Sequence, residues 1–194
     1  MASASPRRRE LLGRLGIPFR VQASHIPEEH PPLPPAQAIA AVALAKALAV
    51  AAEIGSARGP AAPPVVVLGA DTEVVLDGRL LGKPRDAADA ARMLRELRGR
   101  QHEVITGLAV VALGPPGAPP ESETAAVTSR VRMGDYSDAL IEDYVATGEP
   151  LDKAGGYAVQ GLGGRLVAAV DGCLTNVIGL PLTTTRSLLE RRGL

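Results

Sequence analysis

Apolar and polar positions follow one another along this chain in two rhythms, one helical and one extended, and the changes of rhythm mark the elements. Residues 5–15 (SPRRRELLGRL) carry leucines at helical spacing behind Ser5, which can cap a helix, and Pro6, which suits its first position. An extended segment is expected around Phe19–Gln22, and HPPLPP at 30–35 is a loop. The alanine-rich run from about Ala36 to Ile54 predicts a long helix ended by Gly55, with GSARGPAAPP as a linker. Next come an apolar strand (Val65–Gly69), a second strand (Glu73–Leu76), a tight Asp77-Gly78 turn and a third strand. Asp86–Arg98 is amphipathic, with Ala90, Met93, Leu94 and Leu97 on one face. Val104–Leu113 and Glu123–Met133 read as a hairpin joined by GPPGAPPES, and Ser137 precedes a helix over Asp138–Thr147. The tail holds a glycine-rich stretch (KAGGYAVQGLGG), a strand (Arg165–Val170), a loop and a last helix from about Leu182. With no internal repeat and no break in composition, residues 1–194 are expected to form one domain.

Composition narrows the class. Hydrophobic residues make up 46% and aromatics only 2%, an aliphatic stock that suits a buried sheet flanked by helices. The 21 basic and 21 acidic residues cancel, which argues against a nucleic-acid binder working through a basic face and leaves room for a small phosphate pocket. Cys173 is the only cysteine, so no internal disulfide or thiolate metal site forms and a reducing cytoplasm is the expectation. No apolar run is read as membrane-spanning, and MASASPRRRELL lacks the apolar core of a signal peptide.

Several short segments can carry chemistry. Ser3-Ala-Ser5-Pro-Arg7-Arg8 puts two arginines in a first helical turn, where they oppose the helix dipole unless an anion sits before them. A solvated basic turn is the plain reading of the same residues. Asp71, in Gly69-Ala70-Asp71-Thr72, is expected just past an apolar strand, at the sheet edge where α/β ligands bind. There it could hold Mg²⁺ or accept a proton, or simply form a turn. Lys83, between Gly82 and Pro84, is a stiffly held cation suited to phosphate. Glu28-Glu29 offers further carboxylates, and Lys46, alone among alanines, either snorkels or meets a charged ligand partner. Gln160 can read a base edge with its amide, or be an exposed loop glutamine. His25, His30 and His102 show no metal-ligand spacing, and no P-loop or nucleophile elbow is present.

Taken together, SASPRRRELL, GADTEVVLDGRLLGKP, EDYVATGEPLDKAGGYAVQGLGG and TNVIGLPL resemble the Maf family across essentially the whole chain. The resemblance implies an α/β fold with a mixed, curved sheet flanked by helices, like that of inosine triphosphate pyrophosphatases, and a cleft between two lobes. It also implies a homodimer and hydrolysis of nucleoside triphosphates between the α- and β-phosphates with a divalent cation, Mg²⁺ or Mn²⁺. Carried over by motif, Asp71 is the implied proton acceptor and a metal ligand, Glu28 the second metal ligand, and Lys83 a catalytic cation. Ser5, Arg7, Arg8 and Lys46 are the implied triphosphate contacts. Arg7, Thr72 and Gln160 match the branch acting on dTTP and UTP, where the branch acting on 7-methyl-GTP tends to carry Trp, Gln and Glu. A neutral amide suits the O4 and N3–H of uracil or thymine.

Two departures stand out: the family's apolar first strand is nearly absent before Ala2-Ser3, and Pro27 replaces the acidic residue before Glu28. The expectation is therefore a cytoplasmic dTTP/UTP pyrophosphatase that cleans the nucleotide pool and engages neither nucleic acid nor membrane. The alternatives are a pyrophosphatase for another modified nucleotide and a nucleotide-binding regulator of septum formation.

Overall fold

Three helices begin where capping chemistry says they should. In the computed structural model, which describes residues 1–59, 62–115 and 117–194, the Ser5 hydroxyl accepts from the Arg8 amide at the head of α1 (Pro6–Gly13). Asp86 caps α3 (Ala87–Leu97) by accepting from the Asp89 amide, and Ser137 caps α4 (Asp138–Ala146) by accepting from Leu140. Between the first two lies α2 (Pro35–Ala57), with 23 residues. It runs through Gly55 instead of ending there, because a glycine within a helix costs only about 1 kcal/mol. Arg58 stops it, turning extended and giving its guanidinium to the carbonyls of Ala62, Pro63, Leu113 and Gly114. Pro60 and Ala61 of the expected linker, and Pro116 of the expected hairpin loop, lie outside the described residues.

The two strands expected around GADT are one, β1 (Val65–Leu76). Gly69 does not make a turn; it makes room. A Cβ there would stand 2.2 Å from the Ala43 carbonyl oxygen and 3.0 Å from Ala47 Cβ, so the glycine lets α2 lie against the strand backbone. Asp71 therefore sits inside a strand and not just past its end. Asp77 (φ 51) and Gly78 (φ 77) then form the expected tight turn into β2 (Arg79–Leu80), which pairs antiparallel with Val75 and Leu76.

β3 (Gln101–Leu113) and β4 (Glu121–Met133) form the expected hairpin. The glycine-rich tail folds as three short 3-10 turns, Glu149–Asp152, Ala154–Gly156 and Leu162–Leu166. β5 is Val167–Asp171, because Arg165 and Leu166 belong to the last of those turns. Where a loop was expected, α5 (Leu174–Ile178) forms, its Asn176 amide group donating to the Val104 carbonyl and Ser129 hydroxyl; α6 (Leu182–Glu190) closes the chain. Residues 19–22 form no assigned strand, yet the Gln22 amide donates to the Met1 carbonyl and the Ala2 amide to Leu68 of β1. The short start thus makes strand-like bonds.

The result is an α/β fold with a five-stranded sheet, order β2-β1-β3-β4-β5, flanked by helices. The chain divides into two compact units. The first comprises Met1–Asp71, Thr106–Val127 and Gly179–Leu194; the second comprises Thr72–Ile105 and Thr128–Ile178.

One core cluster of the first unit is built of small residues, Ala2, Ala43, Ala47, Val50, Ala51, Val67, Ala109 and Val111, while large side chains such as Leu11, Ile39, Leu108 and Leu188 are buried elsewhere in the same unit. Gly107 of β3 repeats the device of Gly69, since a Cβ there would lie 2.6 Å from the Ala40 amide nitrogen. Within that cluster, close approach of backbones takes the place of large side chains, each of which would contribute about 1.5–3 kcal/mol on burial. By length and composition α2 is apolar enough to cross a membrane, against the expectation from sequence; its packed stripe explains why, since Ile39, Val42, Ala43, Ala47 and Val50 are core residues.

The second unit has a different core, of Leu76, Leu94, Leu97, Met133, Ile141 and Leu166 with Tyr136, Tyr144 and Tyr157. All three tyrosines of the chain are there, and each hydroxyl finds a partner: the Leu94 carbonyl, Glu149 and His102.

Candidate active site

The site begins with the register of α2 on β1. Because Ala43 and Ala47 press on Gly69, Lys46 is carried into the buried side of the helix, and Asp71 lies two residues beyond Gly69 on the strand. Lys46 Nζ lies 2.7 Å from Asp71 Oδ1 and 2.7 Å from Glu28 Oε1. Both the lysine and the aspartate are almost wholly buried, whereas Glu28 is half-exposed. Lys46 does not snorkel, because the fold itself supplies it with charged partners. On the other oxygen, Asp71 Oδ2 is 2.9 Å from His30 Nε2. One ammonium faces two carboxylates, so this cluster carries a deficit of positive charge that a cationic ligand would relieve.

That donor chemistry fits the divalent cation implied by the family. Carboxylate oxygens are the ligands Mg²⁺ and Mn²⁺ prefer, and an imidazole is acceptable to Mn²⁺. Alternation along β1 turns Glu73, also buried, to the face that Asp71 occupies, and it adds another donor of the kind a metal takes beside His30 and Asp71.

At the head of α1 the expected basic turn is partly committed. Arg8 donates through Nε to the Gly179 carbonyl at 2.9 Å and through a terminal nitrogen to Ser3 Oγ at 3.2 Å. Ser3 is buried and also accepts from the Ser5 amide. Arg7 is half-buried and has no hydrogen-bond or ion-pair partner among the described residues. No acidic residue occupies that first turn. A fixed guanidinium, a second one with its donors unspent and the amides of a helix start together make an arrangement that favours anions.

The remaining expected residues belong to the second unit. Thr72 is half-buried on β1. Lys83 is exposed, following Gly82 (φ 63), whose carbonyl accepts from the Gly155 amide at 2.8 Å and so ties GKP to the KAGG turn. Gln160 is an exposed bend residue.

Lys46, Asp71 and Glu28 are therefore brought together, and Ser5 is joined to Arg8. His30 was missed by sequence reasoning. It stands 41 residues from Asp71, outside any ligand spacing, and the proline-rich loop after it gives no hint of inward direction. Ser3 could have been found, since it lies within the same SASPRR segment. His102 is in no cation cluster; it is buried against Tyr157 and its burial holds its imidazole down to about 4. Cys173 is half-buried with Sγ 3.2 Å from Thr175 Oγ1.

The model of the Maf-like protein family matches residues 1–192. The chain belongs to the Maf family. Its relatives include a protein from Moorella thermoacetica, 54% identical over 194 residues, which are all of this chain and 94% of that relative. One from Anaeromyxobacter sp. (strain Fw109-5) is 48% identical over 194 residues, all of this chain and 88% of the relative. A third, from Dictyoglomus turgidum, is 45% identical over all of this chain and 95% of its own length. Each is named dTTP/UTP pyrophosphatase. The Maf match runs through both units, so Asp71 of the first and Gln160 of the second lie within one family domain.

Proposed function

We propose that this Maf protein hydrolyses dTTP and UTP to the nucleoside monophosphate and pyrophosphate, as a single domain spanning residues 1–194 that cleans the nucleotide pool. The observation that carries the reading is the buried Lys46–Asp71 pair with Glu28 and His30 on its flanks, in a chain so similar to proteins named for that reaction. Lys46 orients Oδ1 of Asp71 and His30 orients Oδ2. Asp71 takes a proton from water as the water oxygen bonds to the α-phosphorus. The bond from that phosphorus to the bridging oxygen of the β-phosphate breaks, and pyrophosphate leaves with the electron pair. Arg7, Arg8, Lys46 and Lys83 hold the triphosphate and offset charge gathering on the leaving group, with Ser5 at the helix start. Asp71 and Glu28 hold a divalent cation, Mg²⁺ or Mn²⁺, which when bound supplies further neutralisation of the triphosphate. Thr72 and Gln160 select the base. The working form is a cytoplasmic homodimer that needs neither nucleic acid nor membrane.

Pyrophosphate release from a panel of nucleoside triphosphates, with each metal in turn, tests this. Turnover of dTTP and UTP is expected to exceed that of the others, and Asp71→Asn should lower kcat by about 10³-fold while nucleotide binding persists. Turnover confined to another nucleotide replaces the substrate, and intact nucleotide binding without turnover of any replaces the enzyme with a binding regulator.

A further inference from the structure

The Gln160 side chain has no hydrogen-bond partner among the described residues, so the backbone alone decides where its amide stands. That backbone is gripped on both sides. Three residues before it, the Tyr157 hydroxyl meets His102 Nε2 at 2.7 Å, and the two rings pack edge to face with centroids 5.4 Å apart. Both residues are nearly inaccessible. Two and three residues after it, the amides of Leu162 and Gly163 donate to the Glu149 carboxylate, at 3.3 Å to Oε2 and 3.2 Å to Oε1. The Tyr144 hydroxyl donates to the same Oε1 at 3.1 Å. The residue next to Gln160, Gly161, has φ 76 and ψ −153, a conformation essentially closed to other residues. A Cβ on it would come within 3.1 Å of Glu149 Oε1, so carboxylate and glycine are fitted to each other.

We propose that Glu149 and the His102–Tyr157 pair are positioning residues for base selection: they clamp the chain on either side of Gln160 and fix the place of its amide. This rests on the reading of Gln160 as the base-recognising residue and goes beyond it by naming what holds that residue. A two-headed carboxylate accepting two backbone amides is matched in charge and shape in a way a neutral amide is not. In Glu149→Gln one head becomes an NH₂ group facing an N–H donor. One of the two backbone amides at 162–163 then loses its acceptor, and the grip on the segment is weakened while the volume is kept. An exposed glutamine on a loosened segment samples many positions, and discrimination by hydrogen bonds needs placement within about 0.5 Å.

The test compares the full-length wild type with Glu149→Gln and Tyr157→Phe, which removes one hydroxyl and keeps the ring. Turnover of dTTP, UTP and CTP is measured alongside amide hydrogen exchange at Leu162 and Gly163. Glu149→Gln should raise KM for dTTP and UTP about tenfold or more, leave kcat within about threefold, narrow the preference over CTP and speed exchange at both amides. Tyr157→Phe should shift KM the same way by a smaller factor. Faster exchange with wild-type KM and selectivity would overturn the proposal, because the clamp would then serve stability alone. So would a fall in kcat with KM unchanged. A wild type that turns over no pyrimidine nucleotide would instead remove the underlying reading of the reaction, and wild type and variants would then fail alike.

Discussion

The two units contain differently built core clusters, and their polar groups differ with them. In the first, a cluster of alanine and valine lies along α2 and β1, the helix and strand that carry the buried ammonium of Lys46 and carboxylate of Asp71, with Glu28 as a second, half-exposed carboxylate. In the second, a cluster of leucine and tyrosine holds three hydroxyls and an imidazole kept uncharged by burial, while Asp89, buried on α3, pairs with the exposed Arg85 and Arg92. Charge inside a protein demands compensation at short range, which the flush packing of α2 on β1 permits, because small side chains let two backbones carry their ionic groups into contact. Neutral groups need only hydrogen-bond partners, and in a low-dielectric core those bonds are strong and directional. The contrast is one between these two clusters and not between the whole units, since Lys83, Glu73 and Asp89 also belong to the second.

The comparison can be pressed from its strong end to its weak one. Lys46→Met should be the most damaging to stability, about 4 kcal/mol in urea unfolding, since it strands a buried carboxylate. Much of that loss should be recovered when Asp71→Asn is added, and strict additivity would show the pair to be uncoupled. Gly69→Ala should cost about 3 kcal/mol by forcing α2 off the strand, and turnover should fall with it because Lys46 moves as well.

Acid tests the neutral core. Unfolded His102 binds a proton below its ordinary 6.5, while the folded residue stays neutral down to about 4. Stability therefore declines as pH drops from 6.5 toward 4, by roughly 2 kcal/mol at pH 5, and levels off below. In His102→Gln the same denaturation series should lose that part of its slope; an unchanged slope would assign the acid sensitivity elsewhere. Smallest of all, Gln160→Ala should move the urea midpoint by less than about 0.5 kcal/mol while flattening the preference for dTTP and UTP. An exposed residue with a large stability effect would contradict the clamp, in which the backbone and not the glutamine is held.

Local chemistry was legible in the sequence and long-range pairing was not. Ser5 and Ser137 announced their helices because a cap acts within three residues, the apolar face of 86–98 announced a third, and Asp77-Gly78 announced its turn because turn chemistry is local. Glycine misled where its use was tertiary. Gly69 resembled a break and is a contact surface for α2; Gly55 resembled a stop and is one more helical residue. The site was half visible. Lys46 stood out as a cation among alanines, but its partners are 18 and 25 residues away on other segments, which periodicity cannot register. His30 had no signal, since an imidazole in a proline-rich stretch reads the same whether it faces in or out.

One property of α2 bears on where such a segment can end up. Its mean hydropathy is 1.9 over the most apolar stretch, enough to resemble a bilayer span as the nascent chain emerges, before Asp71 has been made. Ile39, Val42, Leu44, Leu48, Val50 and Ile54 each favour transfer into lipid by about 0.5 kcal/mol, and a lysine at the middle of a helix opposes it by about 3 kcal/mol. Lys46, near the centre of α2, offsets all six. The ammonium that orients Asp71 in the finished protein thus also disfavours the bilayer for this helix while it is still waiting for its strand.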